Sequence, residues 1–396
     1  MKNKKNKIIS IILSFVFVLG LTGCGGEVRR ADGSQEEYEY LITVGFAQGG
    51  EEGSWKTANT ESFQTIFVED NGYELLLEDA GIDQEKQIHV IREFIEKEVD
   101  YILLAPVAEY GLEEVLEEAK EARIPVLLVG ALNADIDSSL YECQICSNTE
   151  KQVQEMGNWL ETYLEERENK GENKEVTDNK GYTKKTKQDR LKEEEKQRQE
   201  EKAKQQKSGG GETDESKEEQ EEEKEAPYIL AVVQDYIGTA RQLTLAEGYQ
   251  KLIEKHSDWQ MEGQQTGENS REIAKQVVEL FIEHYPELNI IIAETSDMAL
   301  GVVDALEEHK KNQQSEADDQ EEVILISLGA GREVLEAVRD GKIQAAFEQT
   351  PLQAPKTAEI IQKLESGIYL DKIQYVKDVY YDQTMNLEEV IAKQTY

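Results

Sequence analysis

The sequence predicts an α/β protein made of two doubly wound lobes that face each other across a cleft. Short apolar runs recur along the chain, helical segments with one apolar face separate them, and the alternation falls into two sets divided near Asn148. Runs that are apolar throughout suit strands buried on both faces of a parallel sheet, with the helices as crossovers. The 396 residues are enough for two or three domains.

The first set of segments runs from Tyr40 to the helix that follows Asn148. Strands are predicted at residues 41–46, 73–77, 101–105, 125–129 and 140–145. Helices are predicted at residues 55–69, 83–97, 112–122 and 153–166. Ser54 precedes the first of these helices, and we expect its side chain to cap the helix N-terminus.

The second set begins at Tyr228. Strands are predicted at residues 229–233, 260–264, 290–293, 323–327, 343–347 and, from its alternating pattern, 372–381. Helices are predicted at residues 240–255, 270–283, 296–309, 331–339 and 354–366. Since ligands of open parallel sheets bind at the carboxyl ends of the strands, we expect functional groups in the loops that follow them.

Charge excludes some function classes. The chain has 83 acidic and 44 basic residues and a net charge of -39, which would repel a nucleic-acid backbone and an anionic lipid surface. Residues 165–226 are rich in charge and poor in apolar residues, which predicts a disordered or single-helix insert in the second lobe. The insert is either an exposed loop without function or an arm that docks a partner.

The N-terminus predicts export and a lipid anchor. Lysines precede an apolar stretch at residues 8–19, which is the size of a signal-peptide core and short for a membrane span. The sequence Leu21-Thr22-Gly23-Cys24 resembles a bacterial lipobox. We therefore expect residues 1–23 to be a signal peptide, Cys24 to carry the lipid, and residues 24–39 to be a flexible tether outside the cell membrane.

Polar and aromatic residues follow the first predicted strand, at the edge where a cleft is expected. Gln48, Glu52, Trp55 and Lys56 could together form half of a sugar site, in which an aromatic ring stacks on the sugar and polar groups meet its hydroxyls. The alternative for Trp55 is a role as a core residue of its helix.

Catalytic and metal-binding motifs are missing from the sequence. Cys143 and Cys146 have a CxxC spacing, but they lie within a strand pattern that would point the thiols to opposite faces, and their pairing is left open. The histidines are scattered, and there is no phosphate loop and no nucleophile elbow. We expect neither an enzyme nor a bound cofactor or metal.

Several short motifs occur in the order and spacing of a known family. They are Phe46-Ala47-Gln48, Trp55-Lys56, Ala105-Pro106-Val107, Asp297-Met298-Ala299-Leu300-Gly301 and Gln349-Thr350-Pro351. With them the chain resembles type I periplasmic sugar-binding proteins, and among these the galactofuranose-binding components of ABC importers. The resemblance implies a three-crossover hinge. It also implies an N-terminal lobe at 40–147 plus 350–378 and a C-terminal lobe at 148–349 plus 379–396.

The resemblance also implies ligand contacts at Pro106, Thr295, Asp297 and Gln349. Other positions depart from the family. The family's Asp-Arg pair after the fourth strand is Gly130-Ala131, its helix arginine is Leu245, its Asn-Asp pair is Thr295-Ser296, and its aspartate in a later turn is Gly329. These changes predict a degenerate second-lobe site, so the cleft either holds a different ligand or acts through protein contact.

The expected function is that of a substrate-binding lipoprotein that captures a sugar or similar small ligand for an ABC importer. The alternative is a ligand-sensing accessory protein for a membrane histidine kinase or chemoreceptor. We expect a monomer that pairs with a membrane permease or a sensor kinase and binds no nucleic acid.

Overall fold

The computed structural model describes most of both predicted lobes. The described residues are 27–29, 35–37, 40–50, 52–108, 110–130, 135–172, 228–312 and 323–396. The predicted signal peptide, the lipidation site Cys24 and Ala131 lie outside the described residues. The predicted insert is described only as far as residue 172, where it continues a helix.

The described elements alternate between strands and helices, as predicted. The strands are β1 (Glu27–Arg29), β2 (Gln35–Glu37), β3 (Ile42–Gly49), β4 (Tyr73–Gly81), β5 (Tyr101–Ala105), β6 (Val126–Gly130), β7 (Cys143–Cys146), β8 (Tyr228–Gln234), β9 (Trp259–Thr266), β10 (Leu288–Ala293), β11 (Ile324–Ser327), β12 (Ala345–Phe347), β13 (Ile373–Tyr375) and β14 (Tyr380–Asp382). The helices are α1 (Ser54–Ile66), α2 (Gln84–Glu96), α3 (Glu113–Glu121), α4 (Thr149–Glu172), α5 (Ala240–Lys255), α6 (Arg271–His284), α7 (Ser296–Asn312), α8 (Arg332–Arg339), α9 (Ala354–Glu365) and α10 (Leu387–Lys393). In the described part of the chain, no helix is both long and apolar enough to span a bilayer.

The first lobe is a parallel sheet in the order β13-β7-β6-β5-β3-β4 with helices on both faces. Phe94 and Leu116 on α2 and α3 pack on one face. Phe63 on α1 and Ile360 on α9 pack on the other. The apolar runs of the strands are therefore buried from both sides, which is why they do not alternate with polar residues.

The second lobe repeats this design, with the order β14-β12-β11-β10-β8-β9 and only β14 antiparallel. Met156 on α4 and Tyr249 on α5 pack on one face. Val302 on α7 and Val338 on α8 belong to the core on the other face. The prediction of two doubly wound lobes is confirmed.

The described chain crosses between the lobes three times. The first crossover is residues 147–148, the second is 348–353 and the third is 376–379. The third corrects the prediction of one strand at residues 372–381. That segment is split into β13, which pairs with β7 in the first sheet, and β14, which pairs with β12 in the second.

Short antiparallel strands, β1 and β2, pair within the predicted tether.

Candidate functional site

A cavity of about 530 Å³ lies between the lobes. This volume is within the range of about 300–1,000 Å³ that is typical of small-molecule sites. The first lobe lines it with residues that follow β3, β5 and β6, and the second lobe lines it with residues that follow β8, β9, β10 and β11. The cavity therefore lies at the carboxyl ends of both parallel sheets, where the topology places ligands.

Most of the predicted ligand-binding residues line this cavity, namely Trp55, Pro106, Thr295, Asp297 and Gln349. The indole Nε1 of Trp55 donates a hydrogen bond to the main-chain oxygen of Gln349 at 2.8 Å. The first lobe is thus attached to the second crossover beside the cavity. Trp55 is half-buried, so it both packs on its surroundings and presents surface to the cavity.

Ser54 and Asp297 join the two lobes across the cleft. The Ser54 hydroxyl donates to Asp297 Oδ2 at 3.0 Å, and the Ser54 backbone N–H lies 3.5 Å from the same oxygen. The prediction that Ser54 caps α1 needs correction, because Gly53 holds the cap position and no side chain makes a capping hydrogen bond there. The Ser54 hydroxyl serves the contact between the lobes instead.

Gln48, Glu52 and Lys56 do not lie in the lining of this cavity. The Gln48 amide is used within its own lobe. Its oxygen accepts from the Thr60 hydroxyl at 2.7 Å, and its nitrogen donates to Asn59 Oδ1 at 3.3 Å. Both the oxygen and the nitrogen of this buried amide are hydrogen-bonded to side chains on α1, so Gln48 holds the end of β3 against that helix.

Lys56 has a comparable role. Its ammonium donates to the main-chain oxygen of Gly50 at 2.8 Å, to Glu52 at 3.0 Å and to Asp79 at 2.8 Å. An ammonium has three N–H donors, so these partners saturate it. Burial alone would lower the pKa of Lys56, but hydrogen bonds and charge from Asp79 and Glu52 raise it overall.

Replacing Lys56 with methionine is therefore expected to lower the free energy of unfolding and leave ligand affinity nearly unchanged. The loss should be about 1–2 kcal/mol, because Asp79 and Glu52 can regain water when their partner is removed. Urea unfolding followed by circular dichroism measures it. Lys151→Met is the matched control, since the Lys151–Glu155 pair is exposed. Equal effects of the two variants would contradict this role.

The second lobe supplies a buried arginine that the sequence analysis missed. Arg241, on the first turn of α5, is 6% exposed and lines the cavity. Its Nη2 donates to the main-chain oxygen of Glu294 at 3.0 Å, whereas its Nε and Nη1 have no hydrogen-bond partner among the described residues. The nearest carboxylate, Asp235, is 3.9 Å from Nη1, too far for a direct hydrogen bond.

Glu294 contacts both Arg241 and Asp235 and is completely buried. Its Oε2 accepts from the backbone N–H of Asp235 at 2.8 Å, so it holds the loop that carries Asp235. Burial raises the pKa of Glu294, against the opposing effect of the Arg241 charge and the Asp235 hydrogen bond. Burial, followed by the charge of Glu294, also raises the pKa of Tyr249 well above its usual value.

The raised pKa of Glu294 predicts a pH dependence of stability. The unfolded carboxyl ionises near its ordinary value of 4.5, whereas the folded one keeps its proton to higher pH. Above pH 4.5 the folded state therefore binds more protons than the unfolded state. The stabilising contribution of this carboxyl is complete below pH 4.5 and is lost as the pH rises through the folded-state pKa. The groups that act on the Glu294 carboxyl are Asp235, Arg241 and Tyr249, and they help to set the pH range over which it titrates.

Glu294→Gln removes the titration and keeps an oxygen that can accept from Asp235. We expect the unfolding free energy of the variant, relative to that of the unchanged chain, to increase as the pH rises from about 4.5 towards neutrality. Chemical denaturation across this range measures the difference. A difference that stays constant with pH would contradict the prediction.

Two of the positions at which the sequence departs from the family, Leu245 and Gly130, are used within the protein and give the cavity no charge. Leu245 is indeed in the core, one turn beyond Arg241, so its position gives the cavity no charge. Gly130 exchanges hydrogen bonds with the Gln353 amide at 2.7 and 3.0 Å, so the end of β6 is tied to the second crossover. The expectation of a degenerate second-lobe site nevertheless overlooks Arg241 and Asp235, which line the cavity from other positions.

Gly329 also lines the cavity, and its hydrogen atoms face Ser296. A Cβ built on Gly329 would come within 2.7 Å of the Ser296 backbone nitrogen and still nearer to its hydroxyl. An aspartate could not fit here without movement of the main chain. The close approach of these two loops therefore leaves no room at Gly329 for the family's carboxylate.

Position after a strand was a signal that could have identified the missed residues. Asp235 directly follows β8, and Arg241 is the second residue of the next helix, the position that Trp55 holds in the helix after β3. Applying the strand-end rule evenly to both lobes would have selected them. Tyr396, which also lines the cavity, had no such signal because it lies far from any predicted strand end.

Cys143 and Cys146 are both free and buried in β7. Burial raises the pKa of each thiol to about 12, which keeps the sulfur protonated and unreactive. The question of their pairing is thus answered by the structure, in which they form no disulfide.

Comparisons with known proteins agree with this geometry. The chain is 24% identical over 356 residues to the galactofuranose-binding protein YtfQ of Escherichia coli (strain K12), covering 89% of this chain and 91% of that protein. It resembles the solved periplasmic binding protein of an arabinose ABC transporter from Shewanella sp. ANA-3, bound to alpha and beta-L-arabinofuranose, with a TM-score of 0.65, 24% identity and coverage of 89% and 95%. It also resembles the fructose-binding periplasmic domain of a hybrid two-component system, with a TM-score of 0.61, 15% identity and coverage of 89% and 94%.

A sequence profile for the periplasmic binding protein domain matches residues 44–368. The match takes in most of both lobes and two of the described crossovers. The chain therefore belongs to the periplasmic binding protein domain family and has the two-lobe fold of its type I sugar-binding members.

Proposed function

We propose that the chain is an extracytoplasmic substrate-binding protein that captures a sugar in the cleft between its lobes. The observation that carries this proposal is the pair Arg241 and Asp235. Both line the cavity, and Arg241 Nε and Nη1 and Asp235 Oδ1 are buried without a hydrogen-bond partner in the described chain. Buried polar atoms are normally satisfied, so these atoms indicate where a ligand supplies the missing partners.

The same pair favours a neutral hydroxyl group over a charged one. A hydroxyl can accept from the guanidinium of Arg241 and donate to the carboxylate of Asp235 at once. A ligand carboxylate can only accept, and it would meet the like charges of Asp235 and Asp297. Arg241 Nη1 and Asp235 Oδ2 lie 3.9 Å apart, so neither group satisfies the other with a direct hydrogen bond. The ligand class is therefore a neutral polyhydroxy compound.

A thermal-shift screen tests this proposal. The panel contains L-arabinose, D-fructose and methyl β-D-galactofuranoside, which represent the sugars of the relatives, together with D-galactose and its acidic counterpart D-galacturonate. A ligand that binds the folded state raises the unfolding temperature by mass action. We expect stabilisation by at least one neutral sugar and none by galacturonate. A flat response to every neutral sugar would defeat the proposal.

Delivery to an ABC importer is the role that the relatives favour, because the solved arabinose-binding protein is named as the periplasmic binding protein component of an ABC transporter. Sensing is a second candidate, favoured by the likeness to the periplasmic domain of a two-component system. Uptake of the labelled sugar by cells that lack the gene distinguishes them. Lost uptake supports import, whereas unchanged uptake with lost transcriptional induction supports sensing.

We also propose that the protein is held at the membrane by a lipid on Cys24, on the strength of the Leu21-Thr22-Gly23-Cys24 sequence. Cells fed a clickable palmitate analogue should label the unchanged protein. Cys24→Ala should abolish the label and release the protein into the soluble fraction. Equal labelling of both forms would refute the anchor.

A further inference from the structure

The segment that ends in Tyr396 connects the cavity wall to the hinge. Tyr396 lines the cavity, and its hydroxyl donates a hydrogen bond to Glu348 Oε1. Glu348 is the first residue of the second crossover and is 8% exposed. The Tyr396 side chain therefore contacts both the cavity and the second crossover, which must bend when the lobes move.

Glu348 in turn links two crossovers. Its backbone N–H donates to the main-chain oxygen of Val379 at 2.8 Å, and its Oε2 accepts from the Val379 N–H at 3.2 Å. A second carboxylate completes the network, because Asp378 Oδ1 accepts from the Ser147 hydroxyl at 3.0 Å and from the Thr350 N–H at 2.9 Å. All three crossovers are thus joined through two carboxylates, the buried Glu348 and the half-buried Asp378.

Further hydrogen bonds hold Tyr396 in place beside the cavity. A main-chain oxygen of Tyr396 accepts from the Arg332 N–H at 2.7 Å, and the Gln394 side chain donates to the main-chain oxygen of Ala330 at 2.7 Å. Gln394 itself is buried. The segment is consequently docked on the loop after β11, and that loop also lines the cavity.

We propose that Tyr396 is a positioning residue for lobe closure, which acts through Glu348 to hold the second and third crossovers in the arrangement that this cavity requires. The hydroxyl of Tyr396 supplies a partner for Glu348 Oε1 that water cannot easily replace at this depth. Burial raises the pKa of Glu348, which makes the carboxyl sensitive to the loss of any hydrogen-bond donor. Without the tyrosine hydroxyl, the link between crossovers should loosen while both lobes stay folded.

Amide hydrogen exchange of the ligand-free protein tests the proposal, so its outcome does not depend on whether a sugar binds. Tyr396→Phe keeps the ring and removes only the hydroxyl. We expect exchange in peptides that span residues 347–353 and 376–382 to accelerate by roughly tenfold, with β10 in the second-lobe core unchanged. Tyr369→Phe is the matched control, since Tyr369 is 89% exposed.

A double-mutant cycle decides whether the effect passes through Glu348. If it does, Glu348→Gln and the combination with Tyr396→Phe should exchange at the same rate. Additive effects, no acceleration in Tyr396→Phe, or equal acceleration in β10 and the crossovers would each overturn the proposal. Failure of the sugar screen, by contrast, would remove the proposed function and leave this test of the hinge standing.

Discussion

Replacing Arg241 with alanine is expected to weaken sugar binding by at least about a hundredfold, which corresponds to roughly 3 kcal/mol. The guanidinium is 6% exposed, lines the cavity and keeps unpartnered donors among the described residues. Its removal would take away ligand hydrogen bonds and leave Asp235 without its nearest cation. Isothermal titration calorimetry with the sugar that gives the largest thermal shift measures the loss.

Two further variants separate binding from folding. Arg241→Lys keeps the positive charge but loses the planar set of donors, so we expect an intermediate loss of affinity with the fold retained. Arg339→Ala is the control, because Arg339 lies at the far end of α8 and pairs with Asp340 on the surface. Unchanged affinity in both Arg241 variants would remove this residue from the site.

Replacing Gly329 with alanine is the second large expected effect. The new Cβ would lie 2.7 Å from the backbone nitrogen of Ser296, and backbone at the start of α7 cannot move aside as a side-chain end can. We expect a loss of about 1–3 kcal/mol in unfolding free energy, as is typical of overpacking. Sugar affinity should fall by more than about tenfold, since both loops line the cavity.

Gly331 provides the control for Gly329. A Cβ there would lie 3.8 Å from the Ser296 hydroxyl, which is an ordinary contact. Gly331→Ala should cost less than about 1 kcal/mol, the amount expected at a helix N-cap, with affinity unchanged. Thermal unfolding and titration of both variants supply the comparison. Equal losses at the two positions would show that the close approach of the loops is unimportant.

The fold could be predicted because each strand and helix is marked by the pattern of apolar residues within its own segment. Runs such as Tyr101–Ala105 are apolar throughout, and only burial on both sheet faces explains such a run. The segment 372–381 was mistaken for one strand because its alternation continues through the third crossover. Nothing in its local pattern marks the point where the chain leaves one sheet for the other.

The site was predicted less completely, for reasons that are also physical. The strand-end rule found Trp55, and the family resemblance supplied Asp297, but neither could distinguish Lys56, whose role depends on Asp79 on another strand. Arg241 was missed because the family pattern directed attention to Leu245, four positions later on the same helix. Tyr396 depends on Glu348, which is distant in sequence and adjacent only after the chain has crossed between the lobes.

A crystal structure of the protein with its best-stabilising neutral sugar tests the central claim most directly. The account predicts the sugar between the lobes, with one hydroxyl within hydrogen-bond distance of both the Arg241 guanidinium and the Asp235 carboxylate. A sugar bound outside this cleft, or inside it without contact to either side chain, would contradict the account.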